Sequence, residues 1–403
     1  MRLLHTSDWH LGQALHGFER SYEHQCFLDW LLEVIVTQQV DGLLICGDIY
    51  DNTNPSAASQ KQLYRFLQQA KLRAPQLNIL IIAGNHDSPG RLEAPAPLLE
   101  EFDTCVVGHI WRTAEGAIDL ERLLIPMHDR QGEIAAWCLA IPFLRPGDVP
   151  QLEGDDFAEG VALLYQQVLA LAIARCKPGQ AIVALGHCHM LGGQLSEASE
   201  RRIVIGGAEA LSAAIFDPAI AYVALGHLHK AQCVGEQAHL RYCGSPLPLS
   251  FAEVAYTHQI LCVEISGETV QGITAIPVPR AVELLRIPRQ PSPVDEVLAE
   301  LEQLVLPEVD EHRQPYLEVR VRLSMPEPAL RARIEAVLAG KPVRLAKIET
   351  SIVRAATQTT NVQTDLEHLQ PEEIFKQLYL SRYGSLPPQE QLALFAELLL
   401  EPV

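Results

Sequence analysis

Three short turns near the start of the chain carry carboxylates, imidazoles and an amide: Asp8-Trp9-His10, Gly47-Asp48-Ile49-Tyr50-Asp51 and Gly84-Asn85-His86-Asp87. Two later turns, Gly186-His187-Cys188-His189 and Gly226-His227-Leu228-His229, add imidazoles. Carboxylate oxygens, imidazole nitrogens and an amide oxygen gathered at one point are a ligand set for a borderline-hard divalent ion such as manganese, iron or zinc. A single cluster of this kind is common, and Asp8 with His10 alone would read as a capped turn before a helix. Five in series, each placed after an apolar run, point to a shared metal site.

The elements that must position these turns are legible beside them. Apolar runs at residues 3–4, 43–46, 79–83, 182–185 and 222–225 read as buried strands, each ending in one of the five turns. A parallel sheet flanked by helices sets the carboxyl ends of its strands along one edge, where the loops leaving them can meet. The glycine ahead of each His-x-His pair is expected to let the backbone turn sharply, and the spacing to send both imidazoles to one side of an extended segment.

The ordered series Asp-x-His, Gly-Asp-x-x-Asp, Gly-Asn-His-Asp, a later His and Gly-His-x-His resembles the calcineurin-like metallophosphoesterases. Residues 2–12 (RLLHTSDWHLG), 23–32 (EHQCFLDWLL) and 241–251 (RYCGSPLPLSF) narrow the resemblance to the nuclease subunits of bacterial SbcCD complexes, over nearly the whole chain. Carried over position by position, the resemblance implies that Asp8, His10, Asp48 and His229 hold a first divalent ion and Asp48, Asn85, His187 and His227 a second, with Asp48 shared. Manganese is the first choice, with magnesium, iron and zinc compatible. A pair of such ions activates water and clamps phosphoryl oxygens for in-line displacement. His86 then protonates the leaving oxygen or stabilises charge on the phosphate, and Asp87 orients it.

Other residues near the motifs are read more plainly. Asn85 could cap the following helix, but between a glycine and a histidine at a strand end it is read as a ligand. Asp51 supports its neighbours by hydrogen bonding, as the groups around metal ligands do. His189 is read as standing outside the metal shell; His5, His16 and His109 are structural; and Cys188, which by its place in a histidine cluster is either a metal ligand or a small buried hydrophobe, is read as the latter.

The 403 residues carry a formal charge of −19. That excess argues against a chain that grips nucleic acid by itself, since such affinity rests on neutralising phosphates with Lys and Arg. Bound cations offset part of the deficit, and the rest implies a partner. Nine cysteines, with no Cys-x-x-Cys pair and several inside apolar strands (Cys46, Cys138, Cys262), fit a reducing compartment. No wholly apolar run reaches about 18 residues and the chain opens directly in a strand, so a cytoplasmic protein without membrane contact is expected.

The organisation expected is α/β: a two-sheet β-sandwich flanked by helices over residues 1–277, which the resemblance also implies, with strands near 2–7, 42–46 and 78–83 and helices near 21–38, 56–72 and 156–174. Strands dominating 203–276, and ending at 259–265 and 270–276, are expected to form the second sheet. Pro277, Pro279, Pro288, Pro291 and Pro293 mark a boundary. A small α/β cap at 278–350 follows, its helices at 294–304 and 328–338 and its strands at 316–323 and 343–349. Its Arg320, Arg322, Arg331, Arg333, Lys341, Arg344 and Lys347 suit DNA phosphates, or else are solvated faces.

A polar linker at 351–366 then leads to a helix pair at 367–403, with stripes at Ile374, Phe375, Leu378 and Tyr379 and at Leu392, Phe395, Leu398 and Leu399. Such short helices need a surface for their stripes, either the chain's own cap or a partner. The resemblance implies the coiled-coil root of the SbcC ATPase subunit, within a heterotetramer built on a homodimer of this chain.

The function implied is metal-dependent hydrolysis of DNA phosphodiesters, with ATP-dependent exonuclease action on duplex ends and endonuclease action on single strands and hairpins when joined to the ATPase. The alternative is a phosphatase or phosphodiesterase for small nucleotides using the same metal centre; a cap and terminal helices favour the nuclease. Every ligand position of the family pattern is filled, against a scaffold that has lost its metals.

Overall fold

The computed structural model of the chain describes residues 1–152, 156–194, 210–325 and 327–352, together with 375–376, 379–380, 387–388 and 391–392. The chain divides into two compact units, Met1–Ser351 and Ile352–Val403. In the first, β1 (Arg2–Thr6) is followed by a short hairpin of β2 (Ala14–Leu15) and β3 (Phe18–Glu19). Next come α1 (Ser21–Thr37), β4 (Gly42–Cys46), α2 (Ala57–Arg73) and β5 (Asn78–Ile82). The short helices α3 (Pro89–Glu93) and α4 (Ala96–Leu99) lead to β6 (Thr104–Val107), β7 (Leu124–His128) and β8 (Ile134–Ala140). Then follow α5 (Phe157–Arg175), β9 (Ala181–His187), β10 (Tyr222–Gly226), β11 (Gln232–Val234), β12 (Gln237–Tyr242), β13 (Gln259–Ser266) and β14 (Thr269–Pro277).

Two six-stranded sheets result, in the orders β14-β13-β1-β4-β5-β6 and β11-β12-β10-β9-β8-β7. The centre of each is parallel: β1-β4-β5-β6 in the first and β12-β10-β9-β8 in the second. Strands such as β4 and β5 are buried along their whole length, which is why they read as unbroken apolar runs. Their alternate residues serve different layers. Leu44, Cys46, Leu80 and Ile82 pack with the second sheet and α5. Leu43, Ile45, Ile79 and Ile81 pack with Phe27, Leu31 and Ile35 of α1 and Leu63, Phe66 and Leu67 of α2. The layers are thus helix, sheet, sheet, helix.

The sheet assignment differs from expectation in one respect. β13 and β14 do not extend the second sheet; they return to the first, β13 lying antiparallel to β1 from Leu261 opposite His5 to Glu264 opposite Arg2. β7 and β8, from the middle of the chain, take the second sheet's far edge instead. Strands buried on both faces look alike in either sheet, so the local pattern does not say which neighbour they find. Helix α5, by length and composition, is apolar enough to cross a membrane. Here Val161, Leu164, Tyr165, Val168, Leu169 and Ala172 are buried in the core between it and the second sheet.

The proline-rich stretch taken as a boundary is itself a strand. β15 (Leu284–Pro293) pairs in parallel with β16 (Tyr316–Leu323) and forms one edge of a three-stranded sheet completed by β17 (Arg344–Ile352). An edge position tolerates prolines because one side of the strand makes no ladder, and the register breaks between Ile287 and Ser292, where Pro288 and Pro291 lie. With α6 (Val294–Glu302) and α7 (Leu330–Leu338), this sheet buries its own core of Val297, Leu301, Leu317, Val319, Val321 and Ile334. β17 runs through Ile352, over the first residues assigned to the linker.

Leu15, Phe251, Val282, Leu284 and Tyr316 join this sheet to the larger body. There the Tyr316 hydroxyl donates to Glu23 at 3.0 Å, and Glu23 is paired through both oxygens with buried Arg20. Six of the seven basic residues assigned to phosphates have internal partners. Arg320 pairs with Glu349, Arg331 with Glu335, Arg333 with Asp295 and Lys347 with buried Glu318. Lys341 donates to the Glu302 and Leu304 carbonyls, and Arg344 lies 3.8 Å over the Tyr316 ring.

In the second unit, Phe375, Lys376, Tyr379 and Leu380 are helical, with the Phe375 and Tyr379 rings 6.1 Å apart; Gln391 and Leu392 are helical as well. Ile374, Leu378, Phe395, Leu398 and Leu399 lie outside the described residues.

The sandwich core makes a direct prediction. Leu44 is fully buried between the sheets, so Leu44→Ala should cost about 2–5 kcal/mol of unfolding free energy through lost burial and the cavity left behind. A lower guanidinium midpoint at unchanged slope would record it.

Candidate metal centre

The turns leaving β1, β4, β5, β9 and β10 meet at one edge of the sandwich. The first two zip together along their backbones: the Asp8 N–H donates to the Gly47 carbonyl, His10 to Asp48 and Leu11 to Ile49, at 2.9–3.0 Å. The third joins through Asp87. Its buried carboxylate accepts from the N–H groups of Ile49 at 3.1 Å, Tyr50 at 3.0 Å and Gly84 at 2.9 Å. The fourth and fifth lie beside each other as Gly226 pairs with His187.

These turns approach so closely that the motif glycines have no room for a side chain. A Cβ on Gly84 would collide with Asp48, one on Gly226 with the Cys46 carbonyl oxygen, and one on Gly47 with the His187 ring. Gly226 is therefore needed for close approach and not for the sharp turn expected of it; the left-handed residue is His227, at φ 103°. Asp8, His10 and Asp48 also have positive φ, at 53°, 47° and 50°. Four of the seven candidate ligands thus sit in backbone conformations that cost about 1–3 kcal/mol each. Bonds such as His227 N–H to the Asp8 carboxylate at 3.1 Å hold them there.

The structure brings all seven candidate ligands together. Asp8, His10 and His229 offer one set of donor atoms within 4.8 Å of one another, and Asp8, Asp48 and His187 another. Asp48 lies between the histidines, its Oδ2 3.4 Å from His187 Nε2 and 3.7 Å from His10 Nε2, while its Oδ1 accepts the His86 N–H at 2.8 Å. Asn85 Oδ1 lies 3.0 Å from His187 Nε2 and 3.1 Å from His227 Nδ1.

The far side of several rings is fixed by protein. His187 Nδ1 donates to the Cys46 carbonyl at 2.8 Å, so in the neutral ring Nε2 is the lone pair, aimed at Asp48 and Asn85. His229 Nδ1 faces Glu253 Oε1 at 3.0 Å, and His10 Nδ1 faces Asp51 Oδ1 at 3.4 Å. Among the described residues, His10 Nε2 is buried with no hydrogen-bond partner. Lone pairs pressed together in a buried pocket, one of them orphaned, are costly without a cation. Two carboxylates, four imidazoles and one amide oxygen fit divalent ions of the manganese, iron and zinc type.

Ionisation follows the same geometry. Burial would raise Asp48, but the His187 charge and hydrogen bond, with His10 and His86, hold its carboxyl below the usual range. Burial would lower His187, but Asp48 and then Asp8 push it up to about 9. His227 is brought down to about 3 by burial and by the His187 charge.

His86 lies half-buried beside this group, its ring centroid 4.9 Å from that of His10. Its Nδ1 donates to the Asp51 carbonyl at 2.8 Å. Asp87, expected to orient His86, instead ties the second turn to the third; the backbone of Asp51 orients the ring. Burial and the nearby Asp48 raise Asp87 to about 6. His189 has its ring centroid 6.3 Å from that of His227, and Cys188 Sγ lies against Met190 Sδ, its thiol pushed up to about 12 by burial.

His5 bridges the sheets, its Nε2 at the Leu225 carbonyl and Nδ1 at the Tyr222 hydroxyl, and burial lowers it to about 3. His109 pairs with Glu93, and His16 lies exposed near the Phe251 ring. Sequence reasoning missed Glu253. The signal that could have found it is an acid directly following the apolar, proline-broken stretch 246–252, where it has little water to face.

A family model described as calcineurin-like phosphoesterase matches residues 1–231, and one described as type 5 capsule protein repressor C-terminal domain matches residues 280–383. Three relatives carry the name of the SbcD component of the SbcCD nuclease. That of Rhodobacter capsulatus is 40% identical over 385 residues, covering 93% of each chain. That of Escherichia coli K12 is 32% identical over 388 residues, covering 93% of this chain and 92% of the relative. That of Bacillus subtilis is 34% identical over 274 residues, covering 66% of each.

The raised His187 fixes the sign of a pH effect. In the metal-free chain its proton stabilises the fold fully below the ordinary value of 6.5 and stops doing so as pH rises through about 9. Metal binding must expel that proton, so affinity should rise by up to about tenfold per pH unit below about 9 and level off there. Isothermal titration of the metal-free chain in buffers of different ionisation enthalpy would read both the slope and the proton released.

Proposed function

This chain belongs to the calcineurin-like phosphoesterase family, and within it to the nuclease subunits of SbcCD complexes; from that premise we propose how its residues cut DNA. It is a metal-dependent phosphodiester hydrolase. The reading of its centre as a two-ion site is supported by one observation above the rest. Seven side chains of metal-ligand type from five strand ends converge at one point with His86 beside them.

Asp8, His10, Asp48 and His229 would hold one divalent ion, and Asp48, Asn85, His187 and His227 the other, with manganese the first choice. When bound, such a pair supplies Lewis-acid charge to the phosphoryl oxygens and activates water as the nucleophile. Around it, Asp48 spans the two halves and Asp87 locks the turn that bears Asn85 onto the turn that bears Asp48. His86, with Nδ1 committed to the Asp51 carbonyl, keeps Nε2 for the substrate. In its imidazolium form it places a proton on the leaving oxygen, a transfer that contributes about 10²–10⁴-fold.

The wider assembly follows as part of the same proposal. Residues 1–277 are the nuclease domain, 278–350 a DNA-contacting cap, 351–366 a linker and 367–403 a helix pair that binds an SbcC-type ATPase. Two copies of the chain form a homodimer within a heterotetramer. The reactions are ATP-dependent exonuclease action on duplex ends and endonuclease action on single strands and hairpins. A charge of −19 supports dependence on a partner for DNA affinity, and nine free thiols support a cytoplasmic setting. Because six of the seven basic side chains named above are engaged internally, a backbone contact by one of them exchanges a carboxylate, a carbonyl or an aromatic face for a phosphate.

The test is cleavage of an end-labelled DNA hairpin in manganese, with and without the ATPase and ATP, for wild type and His86→Ala. The wild type should cut, and the variant should lose about 10²–10⁴-fold in rate while still binding two ions. Hydrolysis of a small phosphodiester with no DNA cleavage in any combination would overturn the nuclease reading and leave the metal centre.

A further inference from the structure

Glu253 is fully buried, and each of its polar groups has a defined partner. Its Oε1 lies 3.0 Å from His229 Nδ1, and its Oε2 accepts the Leu249 N–H at 2.7 Å. The strap bearing it is tied down on both flanks. The Pro248 carbonyl accepts from Arg20 Nη1 at 2.7 Å, the Leu249 carbonyl from Gln13 Nε2 at 2.9 Å, and the Glu253 carbonyl faces His258 Nε2 at 3.3 Å. On the other side, the His229 carbonyl accepts the Ser245 N–H at 3.0 Å. Both the ring and the carboxylate are thus held by backbone that has little freedom to shift.

The contrast with His187 is chemical. Its Nδ1 donates to a neutral carbonyl, whereas that of His229 meets a buried anion. A carboxylate behind a ligand imidazole fixes the tautomer that leaves Nε2 free, aims the ring and strengthens it as a donor to the ion. We infer that Glu253 is a positioning residue for metal binding, holding His229 in the orientation and tautomer that complete the first ion's shell. The inference rests on reading His229 as a ligand of that ion. Glu253 touches neither substrate nor ion; it acts through the imidazole.

The test is a manganese titration of the metal-free full-length chain, followed by the paramagnetic resonance signal of free Mn²⁺, with thermal unfolding of the metal-free protein alongside. Glu253→Gln keeps the size and an acceptor for Leu249 but removes the charge. It should weaken one of two ions about 10–100-fold, leave the other unchanged and preserve the metal-free melting temperature. Glu253→Asp keeps the charge but withdraws it from Nδ1, and should show the same loss at one ion.

His229→Ala separates the two readings: it should lose one ion outright. Two ions at wild-type affinity in Glu253→Gln, beside a one-ion His229→Ala, would overturn the inference alone. So would equal weakening of both ions with a lowered metal-free melting temperature, which marks a role in the fold only. A His229→Ala chain that still binds two ions would remove the ligand assignment and the inference with it.

Discussion

Two carboxylates, four imidazoles and an amide are pressed against one another at one edge of the sandwich, and most of the surrounding structure exists to keep them there. The Nε2 atoms of His187 and His10, the Oδ2 of Asp48 and the Oδ1 of Asn85 lie 3.0–3.7 Å apart in successive pairs. Without a divalent ion these groups are poorly solvated, and a proton on His187 stands in for it against Asp48. The chain meets that cost with backbone: turns zipped by N–H to carbonyl bonds, left-handed φ at four ligands, and glycines at which a Cβ would collide with the next turn. Strain of this kind persists only where the surroundings over-determine it. Here the two parallel sheet centres do so, by delivering five strand ends to one edge.

The histidines show the same economy at the level of single atoms. Each ligand ring has two nitrogens, and for His187, His229 and His10 the outer one faces the Cys46 carbonyl, Glu253 or Asp51. The inner nitrogen is then aimed at the centre before any ion arrives. His86 has its Nδ1 engaged in the same way, but it lies half-buried, where the remaining nitrogen can serve the substrate.

The candidate site was legible in the sequence because each ligand cluster follows an unbroken apolar run. Those runs are strands buried on both faces, so position in the chain and position in space coincide at their ends. Helices α1, α2 and α5 were legible from their stripes for a similar reason: their packing is local. The sheet that β13 and β14 join was not, because the pairing of β13 with β1 spans more than 250 residues and leaves no local period. β15 was hidden by prolines that an edge strand tolerates. Asp87 and Glu253 escaped correct assignment because their partners, backbone N–H groups and one imidazole, come from turns that meet only in the fold.

In the proposed mechanism one carboxylate, Asp48, serves both ions, and every other role depends on that sharing. Metal stoichiometry of Asp48→Asn by mass spectrometry after equilibration with manganese reads it out, since the amide keeps the acceptor for the His86 N–H while losing the shared charge. Two ions per wild-type chain and loss of both in the folded variant are the expected result. Retention of either ion at wild-type affinity would contradict it.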